Sequence, residues 1–117
     1  MSALYPRLSK RILDVADGDQ EFRLELTKAI LVGLTELNKV YSEGYFEKNP
    51  QKIHLIRHKQ KTTLTMFELD PLVHNLQEGK EILDSAGFVN EFDTHFDQFS
   101  RLVKTAIQEV EGLLSQS

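Results

Sequence analysis

The chain has 117 residues, 40% of them apolar and 27% charged. That length and balance support one packed domain over residues 1–117, exclude intrinsic disorder, and fall short of the length that usually splits in two. Without cysteine there is no disulfide framework, thiolate metal site or cysteine nucleophile, and a formal net charge of −4 argues against general nucleic-acid binding, which needs a dominant basic surface.

The opening stretch Met1-Ser2-Ala3-Leu4-Tyr5-Pro6 lacks a basic segment followed by an apolar run, and no later stretch approaches the ~20 apolar residues of a membrane span. A soluble, cytoplasmic protein that does not engage membranes is expected. Leu8, Ile12, Leu13 and Val15 then space a short amphipathic helix, opened after Pro6 and closed at the turn-forming pair Asp17-Gly18. It is expected to act as a lid over one end of the fold. Asp19 suits the N-cap of a long helix, with Glu21 in the first turn where negative charge favours the helix dipole. Phe22, Leu26, Ala29, Ile30, Gly33, Leu37, Val40 and Tyr41 step by threes and fours along it as an apolar face. Gly44 is expected to end this helix, with residues 45–48 as a connector.

Residues 49–67 form the next predicted helix, with Asn49 as N-cap and Pro50 at the first helical position, where its missing N–H costs nothing. At ~3.6 residues per turn, Ile53, Ile56, Gln60, Thr63, Leu64 and Phe67 share one side. His58 falls almost opposite, flanked by His54, Lys61, Thr62 and Thr65, and is therefore expected to face water. Leu55 and Met66 lie on its side or shoulder as a candidate apolar rim for a partner. From Lys48 to Phe67 there are five Lys or Arg residues and no Asp or Glu, a basic island on an acidic protein. For Lys52, Arg57 and Lys59 this pattern fits a solvated helix face as well as a docking surface.

Asp70-Pro71 marks another cap-plus-proline start, and Leu69, Leu72, Val73, Leu76, Ile82 and Leu83 supply the buried side of a helix running to about Ser85, closed by Gly87. The last helix begins near Asn90. Phe92, Phe96, Phe99, Val103, Ala106, Val110 and Leu113 alternate spacings of four and three along it, the seam of a packed bundle helix. No segment alternates apolar and polar residues as a half-buried strand does. Four substantial helices with short connections predict an all-α, up-down-up-down antiparallel four-helix bundle with a short additional N-terminal helix.

The stretch His58-Lys59-Gln60-Lys61-Thr62-Thr63 resembles the phosphohistidine motif of histidine-containing phosphotransfer (HPt) domains, in which a lysine follows the histidine by three residues and small residues come next. Ala16-Asp17-Gly18-Asp19-Gln20-Glu21-Phe22 is similar to the Gly-Asp-x-x-Phe start of that family's first long helix. Arg57 stands where a small residue is usual, Thr62 is bulkier than glycine, and Glu68 takes a position where glycine often follows the helix. The resemblance implies a monomeric phosphocarrier with His58 as phosphoacceptor, Lys61 stabilising the phosphoryl charge, no ATP-binding site and no cofactor. The implied partners are a response-regulator receiver domain, which brings its own Mg²⁺, and a hybrid sensor kinase. His54, Leu55, Arg57, Lys59, Thr62, Thr65 and Met66 are the candidate partner-binding residues. The chemistry agrees: a neutral imidazole is nucleophilic near neutral pH. An ammonium one helical turn along the same face stabilises the doubly charged product.

Three other readings compete. The same stretch is similar to the phosphoacceptor box of sensor-kinase dimerisation helices, yet Lys59 and Thr63 replace the usual acidic residue and proline. His54 and His58 at i and i+4 have the spacing of two zinc ligands but lack further ligands. A bundle of HPt shape that binds a signalling partner without being phosphorylated is the third.

Overall fold

Local chemistry sets the helix boundaries in this computed structural model, which describes residues 4–116. Met1-Ser2-Ala3 of the opening stretch and Ser117 lie outside the described residues. Five helices follow one another: α1 (Leu8–Ala16), α2 (Gln20–Glu47), α3 (Pro50–Met66), α4 (Asp70–Ser85) and α5 (Asn90–Ser115), with no strand among the described residues. The Asp19 carboxylate accepts the Phe22 N–H at 2.9 Å, and the Asn49 side-chain oxygen accepts the Lys52 N–H at 3.1 Å. Each satisfies an N–H left without an intrahelical partner. Asp17, Lys48 and Glu68 take positive φ of 51°, 55° and 55° where α1, α2 and α3 give way to connections. Glu68 thus occupies the left-handed position that favours glycine, held by ion pairs from Arg7 at 3.5 Å and Arg11 at 3.7 Å.

Two boundaries differ from expectation. Asp70 is the first residue of α4, in the turn where its charge faces the helix dipole, and Leu69 precedes it without a side-chain cap. α2 does not stop at Gly44 but continues to Glu47, so residues 45–47 are helix, not connector. Gly44 is buried, and a Cβ there would lie 2.6 Å from Ile53 Cγ1 and 3.3 Å from the Asn49 carbonyl oxygen. Its missing side chain serves the close approach of α3.

The helices pack as a bundle: α2 lies against α3 and α5, α4 against the same two, and α1 against α2. Phe92, Phe96, Phe99, Val103, Ala106 and Val110 are all buried, as the α5 periodicity requires. On α2 the buried side centres on Ile30, Leu34, Leu37 and Tyr41. Phe22 and Ala29, placed by their spacing on the apolar face, are exposed instead, because the inward stripe is rotated past them toward the contacts with α3 and α5. Leu13 of α1 is likewise exposed. The segment around α1 is pinned at several points. The Tyr5 hydroxyl donates to the Leu102 carbonyl at 2.9 Å, the N–H groups of Leu4 and Tyr5 donate to the Glu109 carboxylate, and Arg11 Nε donates to the Met66 carbonyl. Among the described residues no helix is long and apolar enough to cross a membrane.

One polar cluster sits inside the core. Tyr41 and His95, both buried, share a hydrogen bond of 2.7 Å between the phenol oxygen and Nε2. A Cβ at Gly79 would overlap the His95 ring and lie 2.7 Å from the Tyr41 hydroxyl, so α4 approaches α5 through a glycine. Burial pushes the His95 imidazole down to about 4 from 6.5. The folded state therefore holds His95 neutral at pH values where the unfolded chain protonates it. Stability from this residue is complete above about pH 6.5, declines as pH falls, and is lost by about pH 4, a change of about 3 kcal/mol. Urea midpoints of the native protein and His95→Gln, compared from pH 7 to pH 4, should reveal it as a steeper loss in the native protein. Parallel profiles would contradict the neutral, buried histidine.

Candidate functional site

α3 sorts its side chains as its pitch dictates. Ile53, Ile56, Gln60, Leu64 and Phe67 are buried and Thr63 is half-buried, whereas His54, Leu55, His58, Lys59, Lys61, Thr62, Thr65 and Met66 are exposed. Arg57 is half-buried at the margin. His58 stands on the crest of the outward face, free of the core contacts that hold His95.

The two flanks of that crest are different. Toward α4, His54, Arg57, His58 and Lys61 line a groove of about 290 Å³ whose other wall is Val73, His74, Leu76, Gln77 and Lys80, with Leu64 also lining it. Toward α2, Lys59 forms an ion pair of 2.7 Å with Glu36, and Lys52 reaches Glu43 at 3.6 Å and Glu47 at 3.2 Å. Leu55, 67% exposed, stands out on α3 as does Val32, 66% exposed, on α2. The structure thus brings His54, Arg57, His58 and Lys61 together in one groove. Leu55, Lys59, Thr62, Thr65 and Met66 do not line it.

The basic island is less free than its composition implies. Carboxylates of α2 engage Lys52 and Lys59, and the Lys48 ammonium lies over the Tyr45 and Phe88 rings, 4.8 and 5.4 Å from their centroids. Arg57 and Lys61 make no ion pair with a carboxylate among the described residues. Arg57 Nη2 instead donates to His54 Nδ1 at 2.8 Å. Since guanidinium has no acceptor atom, that ring nitrogen accepts, which leaves the His54 proton on Nε2. The His54 and His58 rings lie nearly parallel, with centroids 6.2 Å apart. Among the described residues no group of three or more His, Cys, Asp or Glu is disposed to hold a metal ion.

The α4 wall is the part of the site that periodicity alone did not single out. His74, Gln77 and Lys80 step by threes along one edge of the helix beside half-buried Val73, a polar stripe legible in the sequence. Nothing local says that this edge abuts α3. Lys80 bonds Asp84 at 2.7 Å and holds that carboxyl below the usual carboxylate range. Asp84 itself borders an adjoining hollow with Pro50, Gln51, Leu83 and two residues of the groove, His54 and Arg57. Compared with known proteins, the chain matches no family model, no curated protein and no solved structure.

Proposed function

We propose that the protein is a histidine phosphotransfer domain of the HPt type, with His58 as phosphoacceptor and Lys61 as the cation that stabilises the phosphoryl group. The observation that carries this reading is an exposed histidine on the crest of α3 with a lysine three residues on, lining the same groove and lacking a carboxylate partner among the described residues. An ammonium in that position lowers the cost of placing a dianion on the imidazole. In the transfer, a neutral His58 nitrogen attacks the phosphorus of a receiver's aspartyl phosphate. The acyl P–O bond breaks as the N–P bond forms, the aspartate leaves as a carboxylate, and the second ring nitrogen gives up its proton to solvent water. The Mg²⁺ required belongs to the receiver, and the domain neither binds nor hydrolyses ATP.

The proposal includes the up-down-up-down antiparallel arrangement of α2 to α5 and a cytoplasmic, monomeric state. Pairing of Glu36 with Lys59 and of Glu43 with Lys52 supports opposite directions for α2 and α3. The direct test is incubation of the purified domain with a phosphorylated receiver and assay for label on the domain. His54→Ala should leave transfer within about fivefold of the native rate, since loss of an exposed hydrogen bond is worth no more than about 1 kcal/mol. A two-histidine zinc site would instead lose its metal in both His54→Ala and His58→Ala.

A second reading, a bundle that binds a signalling partner without phosphorylation, draws on the exposed Leu55 and Val32, which do not line the groove. Partner binding without label on native protein would favour it.

A further inference from the structure

We infer that the groove between α3 and α4 is a binding site for a small phosphate monoester that carries a compact apolar group. The argument starts from the composition of its walls. Of its ten lining residues, Arg57, Lys61 and Lys80 are cationic, His54, His58 and His74 are imidazoles, and none is acidic. This occurs on a chain whose net charge is −4. A patch with that imbalance has a positive local potential, and a concave shape concentrates it.

Charge alone selects an anion without choosing among them. Leu64, Val73 and Leu76 also line the groove and give it an apolar surface beside the cations, so an occupant with both an anionic head and an apolar body gains from both. At about 290 Å³ the groove lies at the small end of ligand sites, suited to one ring or a short branched chain and not to a nucleotide. Cations stand on both walls, with Arg57 and Lys61 on α3 and Lys80 on α4, so a phosphate with three oxygens can be met from two sides where a carboxylate offers two oxygens. Asp84 pairs with Lys80 and its charge also acts on Arg57, so Lys61 carries the largest share.

Binding is a property of the unphosphorylated chain and does not depend on transfer to His58. Amide and imidazole NMR spectra of the full chain would be recorded during titration with phenyl phosphate, inorganic phosphate, benzoate and benzyl alcohol. Phenyl phosphate should give saturable shifts confined to α3 and α4, with affinity about tenfold above that of inorganic phosphate and above both other compounds, while the buried His95 ring stays unmoved. Lys61→Ala, an exposed change that leaves the core alone, should weaken phenyl phosphate and inorganic phosphate alike by about threefold or more. Val73→Ala should weaken phenyl phosphate only. Equal affinity for phenyl phosphate and inorganic phosphate would reduce the groove to a simple cationic patch and overturn the inference. So would tighter binding of benzoate or benzyl alcohol, or the absence of saturable shifts at α3 and α4.

Discussion

Phe99→Ala is expected to lower the stability of this protein by about 3 to 5 kcal/mol, the range for truncating a buried aromatic residue. Phe99 is fully buried on α5 and stacks on Tyr41 of α2, with ring centroids 4.2 Å apart and planes 27° from parallel. It also neighbours Phe96 at 6.0 Å on its own helix. Removing the ring takes away both its transfer from water and the contacts that join α5 to α2. The surroundings cannot close easily over the space left, because the Tyr41 hydroxyl is held by His95 and its ring lies 6.4 Å from Phe92. The cost should therefore fall toward the upper part of the range. Since domains of this size are stable by only about 5 to 15 kcal/mol, the variant would be near the margin of folding at room temperature. Urea unfolding would show a large fall in midpoint with an unchanged slope. A loss below about 1 kcal/mol would mean that Phe99 does not occupy the centre of the core.

The largest functional effect is expected at His58. His58→Gln should retain the fold, because the side chain is exposed on α3 and supports no core contact, and should abolish labelling by a phosphorylated receiver. Glutamine keeps size and polarity but offers an amide nitrogen whose lone pair is delocalised, so it cannot form the N–P bond. In the native protein the label should be labile to acid and stable to base, as a phosphoramidate is. Lys61→Ala should slow transfer without eliminating it, since loss of one charge-assisted hydrogen bond removes about 1.5 to 3 kcal/mol. Label surviving in a folded His58→Gln protein would place the acceptor elsewhere. No label on native protein from any receiver of its source would reject the relay and leave a docking bundle.

The sequence by itself determined the features that depend on neighbours within a turn or two. Asp19 and Asn49 cap α2 and α3 because each side chain reaches an N–H three residues on. His58 faces outward because helical pitch alone opposes it to Ile53, Ile56 and Leu64, and the α5 stripe from Phe92 to Val110 is buried for the same reason. Only the tertiary structure decided which of two local meanings a residue takes. Gly44, a plausible helix end by its conformational freedom, is a site of helix contact because Ile53 comes to rest against it. His74 is a groove residue because α3 comes to rest beside that edge of α4. Lys59 belongs to Glu36 and Lys61 to the groove, although the two are adjacent on the same basic stretch. In each case the deciding contact joins separate helices. Its partner is chosen by how the bundle closes, and the periodicity of a single helix carries no record of that choice.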